Sequence, residues 1–183
     1  WAIMKGLKPT PENGAELVME AIQNGGASCI YHVLSDEDVE RIMKHPLTMT
    51  GSDGRLTEPG NGHPHPRWYG AFPRVLGHYV REKGVLKLED AIRKMTSLPA
   101  ARVGLKQRGK IKPGYYADLV VFDPEKIIDK ATFTKPHQYP EGIHYVFING
   151  TLAIDKGKFL NQRPGQVLRR SHHSHSTVYP GEK

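Results

Sequence analysis

One carboxylate and a nearby group of basic side chains are the residues of this 183-residue chain that are most suited to chemistry. Asp53 follows an apolar, β-branched run at residues 47–51, which is typical of a buried strand, and it lies in a Ser-Asp-Gly turn. The loop after it carries His63, His65 and Arg67. Catalytic groups of α/β barrels follow buried strands in this way. A guanidinium can hold a carboxylate through two parallel hydrogen bonds.

Each of these residues also has an ordinary structural interpretation. Asp53 can cap the junction between a strand and a loop. Arg67 can form an ion pair that fixes the loop. His63 and His65 have the spacing of metal ligands, but they lie in a proline-rich loop, and ligation usually needs further His, Asp or Glu nearby. We therefore predict neither histidine as a metal ligand.

The elements before Asp53 alternate between helix and strand. Thr10 and the proline after it predict a helix start, residues 29–34 a strand, Ser35 a second helix start, and residues 47–51 another strand. Short connections in this order indicate parallel strands in βα units. Two parallel strands cannot form a covered sheet alone. We therefore interpret residues 1–104 as the C-terminal portion of a larger α/β barrel whose first part is absent.

The chain after the loop changes from helices to an antiparallel β pattern. Apolar periodicity predicts three helical segments, at residues 71–82, 88–96 and 99–103. From residue 105 the pattern predicts a small antiparallel β unit that extends to residue 170. Its strands are expected at residues 117–124, 143–148 and 151–154, with Asn149 and Gly150 as a hairpin turn. The polar, histidine-containing residues 171–183 are predicted to be a disordered tail.

Composition excludes several other classes of protein. The formal net charge is +7, but no run of five basic residues or RNA-binding motif is present, so we expect no nucleic-acid partner. No apolar run approaches the roughly 20 residues of a membrane span, so we expect no membrane partner. The single cysteine favours a reducing compartment, and we expect a cytoplasmic protein. The chain begins with Trp1 and shows no signal-peptide pattern, so we expect that it is cut from a longer one.

Several motifs closely resemble one enzyme family. Gly-Ser-Asp-Gly at 51–54, His-Pro-Arg at 65–67 and Phe-Pro-Arg-Val-Leu-Gly at 72–77 are similar to the C-terminal third of the N-acyl-D-amino-acid deacylases, or D-aminoacylases, of the amidohydrolase superfamily. Arg-Gly-Lys-Ile at 108–111 and Ala-Asp-Leu-Val-Val-Phe-Asp at 117–123 resemble the β unit of amidohydrolases in general. The likeness runs from about residue 10 to residue 170.

The resemblance implies a fold, a cofactor and residue roles. The fold would be α/β, the C-terminal part of a (β/α)₈ (TIM) barrel followed by a small antiparallel β-sandwich unit. Asp53 would be the general base and acid that takes a proton from metal-activated water and gives it to the leaving amine. Arg67 would bind the substrate carboxylate, and His65 would shape the same substrate-binding loop. Zinc is the implied cofactor, with ligands mainly on barrel strands missing from this chain.

The predicted function is therefore the hydrolysis of N-acyl-D-amino acids to a carboxylate and a D-amino acid. Its partners would be a small N-acylated amino acid and the missing N-terminal part of the barrel. We expect the fragment alone to be inactive and only marginally folded, because its parallel strands would have open edges. Two alternatives remain open at this point. One is another amidohydrolase specificity, hydantoinase- or dihydroorotase-like, and the other is a non-catalytic binding or assembly module.

Overall fold

The computed structural model describes residues 1–26 and 29–169 of the chain. These residues divide into two compact units, Trp1–Leu34 and a larger one that begins at Ser35. The tail predicted at residues 171–183 lies outside the described residues. None of the helices described is long and apolar enough to span a membrane.

The first unit contains one α-helix, which begins where the sequence predicts. A 3₁₀ turn at Ile3–Lys5 is followed by α1 at Pro11–Gln23. The Oγ1 of Thr10 accepts a hydrogen bond from the Asn13 N–H at 3.3 Å, so the predicted N-cap is confirmed. Leu17 on α1 is buried, and Lys5 pairs with Glu20.

The two strands predicted before Asp53 do not form. Residues 29–34 and 47–51 have no regular secondary structure, so both strand predictions are wrong for this chain. A parallel strand exists only where a neighbouring strand supplies its hydrogen bonds. All the strands of the described residues pair antiparallel with one another, and none of them pairs with either of these two segments.

The helices of the second unit follow the predicted order. Helix α2 spans Asp36–Lys44, and the Ser35 Oγ accepts from the Asp38 N–H, which confirms that cap. Helix α3, Arg67–Arg74, begins four residues before the prediction and continues as a π-helix, Val75–Glu82. Helices α4 and α5 span Leu88–Met95 and Ser97–Val103, as predicted to within two residues.

The β unit is one four-stranded antiparallel sheet in the order β1-β2-β3-β4. Its strands are β1 Leu119–Phe122, β2 Ile143–Ile148, β3 Thr151–Asp155 and β4 Lys158–Phe159. Asn149 and Gly150 join β2 to β3 with φ of +49° and +81°, which suits a two-residue hairpin turn. The three predicted strands and the turn are confirmed, and β4 is additional. The barrel-plus-sandwich arrangement stays a prediction.

The core of the second unit joins the helices to the β unit. Val75 and Leu76 of the π-helix, Leu86, and Ala91 of α4 pack with Ile127, all of them buried. Partly buried side chains around them come from α2, β1 and β2 as well as from the π-helix and α4, and include Met43, Phe122 and Ile143. A Cβ at Gly77 would lie 2.4 Å from the Ile127 carbonyl oxygen, so this approach requires glycine. The helix that begins at Arg67 is therefore seated on the chain that follows β1.

Candidate active site

The structure brings the predicted carboxylate and guanidinium into direct contact. The Arg67 Nη2 lies 2.5 Å from Asp53 Oδ2, and Arg67 Nε donates to the Asp53 backbone carbonyl at 3.1 Å. Asp53 has a left-handed φ of +45°, a conformation that Asp tolerates better than most residues. The Asp53 side chain is 81% exposed and that of Arg67 43% exposed. The ion pair given above as the structural alternative for Arg67 is therefore present, and it involves Asp53.

His65 shapes the backbone that leads into Arg67. Its Nδ1 accepts the Arg67 backbone N–H at 3.1 Å, and its carbonyl accepts the Trp68 N–H at 3.0 Å. The His65 ring packs edge-on against Phe133, with ring centroids 5.3 Å apart. The start of α3 is thus capped by the histidine two residues before it, while the substrate-binding role of His65 stays a prediction.

His63 is engaged with the backbone of a distant segment. Its Nε2 lies 2.6 Å from the Phe133 carbonyl oxygen, which fixes this nitrogen as the hydrogen-bond donor. The two histidines of the loop therefore both contact Phe133, 70 and 68 residues further along the chain.

A cleft of about 240 Å³ lies beside Arg67. Its lining includes the polar residues Ser52 and Arg67, the glycine at position 54 and, from α3, the aromatic residues Trp68 and Phe72. The Ser52 Oγ accepts the Gly54 N–H at 3.2 Å, so the turn that carries Asp53 is closed on itself. A site of this size and composition can hold a small molecule that has one anionic end and one apolar end.

Sequence reasoning missed two residues of this region, Tyr69 and His137. The Tyr69 hydroxyl lies 2.9 Å from His137 Nδ1, across 68 residues of sequence. Burial raises the pKa of the Tyr69 hydroxyl, and nearby Tyr139 raises it further. A Pro-His-Gln-Tyr-Pro stretch at residues 136–140 is the only signal in the sequence, and it carries no information about its contact with the loop.

The described residues do not form a metal site by themselves. Nowhere within residues 1–26 and 29–169 do three or more His, Cys, Asp or Glu side chains cluster so that they could hold an ion. Asp53 and Arg67 offer a carboxylate and a cation, which is not a ligand set for zinc. The residues described here therefore do not fit a resident zinc ion without ligands from elsewhere.

Comparisons of the sequence give a consistent family. Residues 6–154 match the model described as the amidohydrolase family. The chain is 44% identical over 181 residues to the D-aminoacylase of Alcaligenes xylosoxydans xylosoxydans, covering 92% of this chain and 37% of that protein. It is 50% identical over 142 residues to the N-acyl-D-aspartate deacylase of the same organism, covering 78% and 28%.

Solved structures of similar proteins agree. A D-aminoacylase described by its binuclear metal centre superposes with a TM-score of 0.73 at 43% identity, covering 89% of this chain and 36% of that one. The N-acyl-D-glutamate deacylase of Bordetella bronchiseptica, in complex with zinc and a phosphonate that mimics the tetrahedral intermediate, gives 0.67 at 45% identity, covering 74% and 28%. The chain spans about a third of the length of these relatives.

Proposed function

The chain belongs to the amidohydrolase family, and we propose that it forms the part of an N-acyl-D-amino-acid deacylase that carries the catalytic carboxylate and the substrate-carboxylate site. The complete enzyme hydrolyses an N-acyl-D-amino acid to a carboxylate and a D-amino acid. Support comes from relatives of this activity that are 44% and 50% identical over most of the chain.

The remainder of the enzyme, in this proposal, supplies the first part of a (β/α)₈ barrel and the ligands for zinc. The likeness in fold to a D-aminoacylase with a metal centre and to a zinc-bound deacylase supports this. The described residues hold no ligand cluster, so the metal belongs to the part of the enzyme outside them. What this chain contributes is the proton-transfer group and the anchor for the substrate.

Asp53 is the proposed general base and acid. Amide hydrolysis requires that a proton leave the attacking water and that one reach the departing nitrogen, and a single carboxylate can carry out both transfers in sequence. The Asp53 side chain is largely exposed, so its second oxygen is accessible to water and substrate.

Arg67 is the proposed anchor, and its contact with Asp53 is the observation that carries the proposal. The guanidinium already holds a carboxylate, that of Asp53, at 2.5 Å. In an N-acyl amino acid a single carbon separates the carboxylate from the nitrogen of the scissile bond. A guanidinium that holds this carboxylate therefore brings the scissile nitrogen close to Asp53, where a proton must be delivered.

The test of this function restores the portion of the enzyme that the relatives have and this chain lacks. The extended protein is assayed with N-acetyl-D- and N-acetyl-L-amino acids that have acidic and apolar side chains. We expect release of the D-amino acid only, and a loss of kcat of about 10³-fold in Asp53→Asn. Glu125→Gln, which changes an exposed carboxylate outside this loop, should keep full activity.

The same experiment contains the result that would contradict the proposal. An extended protein that binds zinc yet cleaves neither enantiomer would leave the family assignment standing and reject the deacylase activity. The 183-residue chain alone should release no amino acid, because nowhere in its described residues do three or more His, Cys, Asp or Glu side chains cluster so that they could hold a metal ion.

The role of Arg67 has a separate test. In the extended protein, Arg67→Lys should raise KM for N-acetyl-D-amino acids by about 100-fold, because an ammonium cannot form the two parallel hydrogen bonds that a planar guanidinium forms with a carboxylate. An N-acetyl amine without a carboxylate provides the control, since wild type and variant should cleave it equally slowly. A variant that loses activity equally on both substrates would show that Arg67 acts through the fold rather than on the carboxylate.

A further inference from the structure

A segment after the core residue Ile127 holds the loop that leads to Arg67. We call residues 129–139 the strap and residues 58–65 the substrate loop. The strap contacts the loop through Phe133, which meets His63 and His65, and through His137, which meets the loop backbone at two glycines. At the far end of α3, Arg74 pairs with Asp129 of the strap at 3.3 Å. The strap therefore lines the loop and the helix that present Arg67.

His137 makes three polar contacts in this arrangement. The Gly60 N–H points to His137 Nδ1 at 3.2 Å, and the Gly62 carbonyl oxygen lies 3.0 Å from His137 Nε2. The Tyr69 hydroxyl also lies 2.9 Å from Nδ1. Gly60 and Gly62 have φ of +85° and +66°, so the loop turns through left-handed conformations at both points of contact.

These contacts select one tautomer of the imidazole. The Gly60 N–H can only donate, so Nδ1 must be an unprotonated acceptor, and the Gly62 carbonyl can only accept, so Nε2 must carry the proton. The Tyr69 hydroxyl then donates to the same Nδ1, whose single lone pair it shares with the Gly60 N–H. The pKa of Tyr69 is raised, first by burial and then by Tyr139, which keeps this hydroxyl protonated as a donor.

The residues that His137 contacts lie on both sides of Arg67 in the sequence. Gly60 and Gly62 lie before it on the substrate loop, and Tyr69 lies two residues after it in the first turn of α3. Between them, the Arg67 backbone N–H is fixed by His65, whose ring packs on Phe133 of the same strap. One side chain thus spans the two ends of the short stretch that carries the guanidinium.

We propose that His137 is a positioning residue for substrate binding, which as a neutral Nε2–H imidazole holds the substrate loop and Tyr69 so that Arg67 can take the substrate carboxylate. The proposal rests on the function proposed above, since the carboxylate is that of the N-acyl amino acid. His137 itself touches no reacting atom in this assignment. Its effect is on how much of the time the Arg67 guanidinium is in place, and therefore on KM more than on kcat.

The first measurement is independent of catalysis. In the extended protein, hydrogen exchange of the Gly60 amide should be about tenfold faster in His137→Ala than in wild type, which corresponds to the loss of one hydrogen bond. The ¹⁵N spectrum of the His137 ring should show a protonated Nε2 and an unprotonated Nδ1. His144→Ala, at an exposed position on β2, is the matched control and should leave the Gly60 amide unchanged. Unchanged exchange in His137→Ala, or a protonated Nδ1, would overturn the proposal.

The second measurement tests whether the contacts of His137 affect substrate binding. We expect His137→Ala to raise KM for N-acetyl-D-amino acids about tenfold while kcat changes less than about twofold. His137→Asn keeps an acceptor at the δ position and should recover part of the loss, and Tyr69→Phe should fall between wild type and alanine. Equal losses in the asparagine and alanine variants, or a change confined to kcat, would contradict a positioning role.

The two measurements separate this proposal from the one on which it rests. If the extended wild-type protein cleaves no N-acyl amino acid, the proposed function fails. The exchange and tautomer measurements then still test whether His137 is hydrogen-bonded to the substrate loop. If the wild type is active and the exchange changes without any effect on KM, the function stands and the positioning role is rejected.

Discussion

The β unit and the segment that carries Asp53 are held in the fold in different ways. Each strand of the β unit pairs with its neighbour in the sequence, and a two-residue turn joins β2 to β3, so the unit contains its own hydrogen-bond partners. Residues 45–56, which carry Asp53, have no strand partner among the described residues. The backbone hydrogen bonds of the β unit therefore need little from the rest of the chain, whereas the segment depends on what surrounds it.

A few polar contacts with α4 fix the segment. The Thr50 N–H donates to the Lys94 carbonyl at 3.2 Å, and Arg93 donates to the Pro46 carbonyl at 2.9 Å. Lys94 is 1% exposed, and its ammonium donates to the carbonyls of His45 and Thr48. By contrast, Leu47 is 73% exposed and Leu56 fully exposed. The difference teaches that the position of Asp53 is set by polar contacts from α4 and Arg67 and not by apolar burial.

The largest expected effect lies in the chain that joins the β unit to the core. Gly142 has a φ of +84°, and a Cβ there would lie 2.5 Å from the Ile127 nitrogen. Gly142→Ala should therefore lower the free energy of unfolding by about 3 kcal/mol or more in urea denaturation. Gly150→Ala is the matched control, with a φ of +81° and no atom within 4 Å of its Cβ, and should cost only about 1 kcal/mol. Equal losses would mean that backbone strain, and not the contact with Ile127, decides the result.

A smaller and local effect is expected from the contacts of the Asp53 segment. Lys94→Met keeps the side-chain length but removes the ammonium, so the carbonyls of His45 and Thr48 lose a donor. We expect a loss of about 2 kcal/mol, with faster hydrogen exchange in residues 45–50 and little change in the β strands. Lys110→Met, at an exposed position, should change neither quantity. A uniform increase in exchange across β2 and β3 would show that the segment and the sheet are not separable.

The same contrast explains which parts of the fold could be predicted from the sequence. The caps at Thr10 and Ser35 and the Asn149–Gly150 turn depend on residues within a few positions, and all were predicted correctly. Residues 47–51 have the composition of a strand, but composition does not supply a partner, and the strand is absent from the described structure. A short sequence pattern therefore predicts the structure correctly where its hydrogen-bond partner lies only a few residues away.

The candidate site shows the same limit. Asp53 and Arg67 could be singled out because each has a side chain with an evident use and lies in a motif that resembles one enzyme family. Their contact agrees with that expectation, although their roles stay proposals. His137 could not be found in this way, because its contacts with Gly60 and Gly62 span more than 70 residues and involve backbone atoms, which leave no mark on the sequence.

The smallest expected effect concerns the ion pair that ties α2 to the π-helix. Glu40 Oε1 accepts from Lys83 Nζ at 2.7 Å, and this hydrogen bond lowers the pKa of Glu40 in spite of a partial desolvation that acts the other way. Because the folded-state pKa lies below the unfolded value of about 4.3, the stabilisation is complete above that pH and is lost as the pH falls through the folded-state pKa. The urea midpoint should therefore fall less steeply with acid below about pH 4.3 in Glu40→Gln than in wild type.

Glu16→Gln provides the control for that comparison, since Glu16 lies exposed on α1 and no ion pair involves it within the described part of the chain. It should show the acid dependence of wild type. Identical curves for all three proteins would mean that the Glu40–Lys83 pair is too well solvated to matter. Helix α2 would then contact the core of the second unit through the packing of Met43, and Lys94 would be the main polar attachment of the segment.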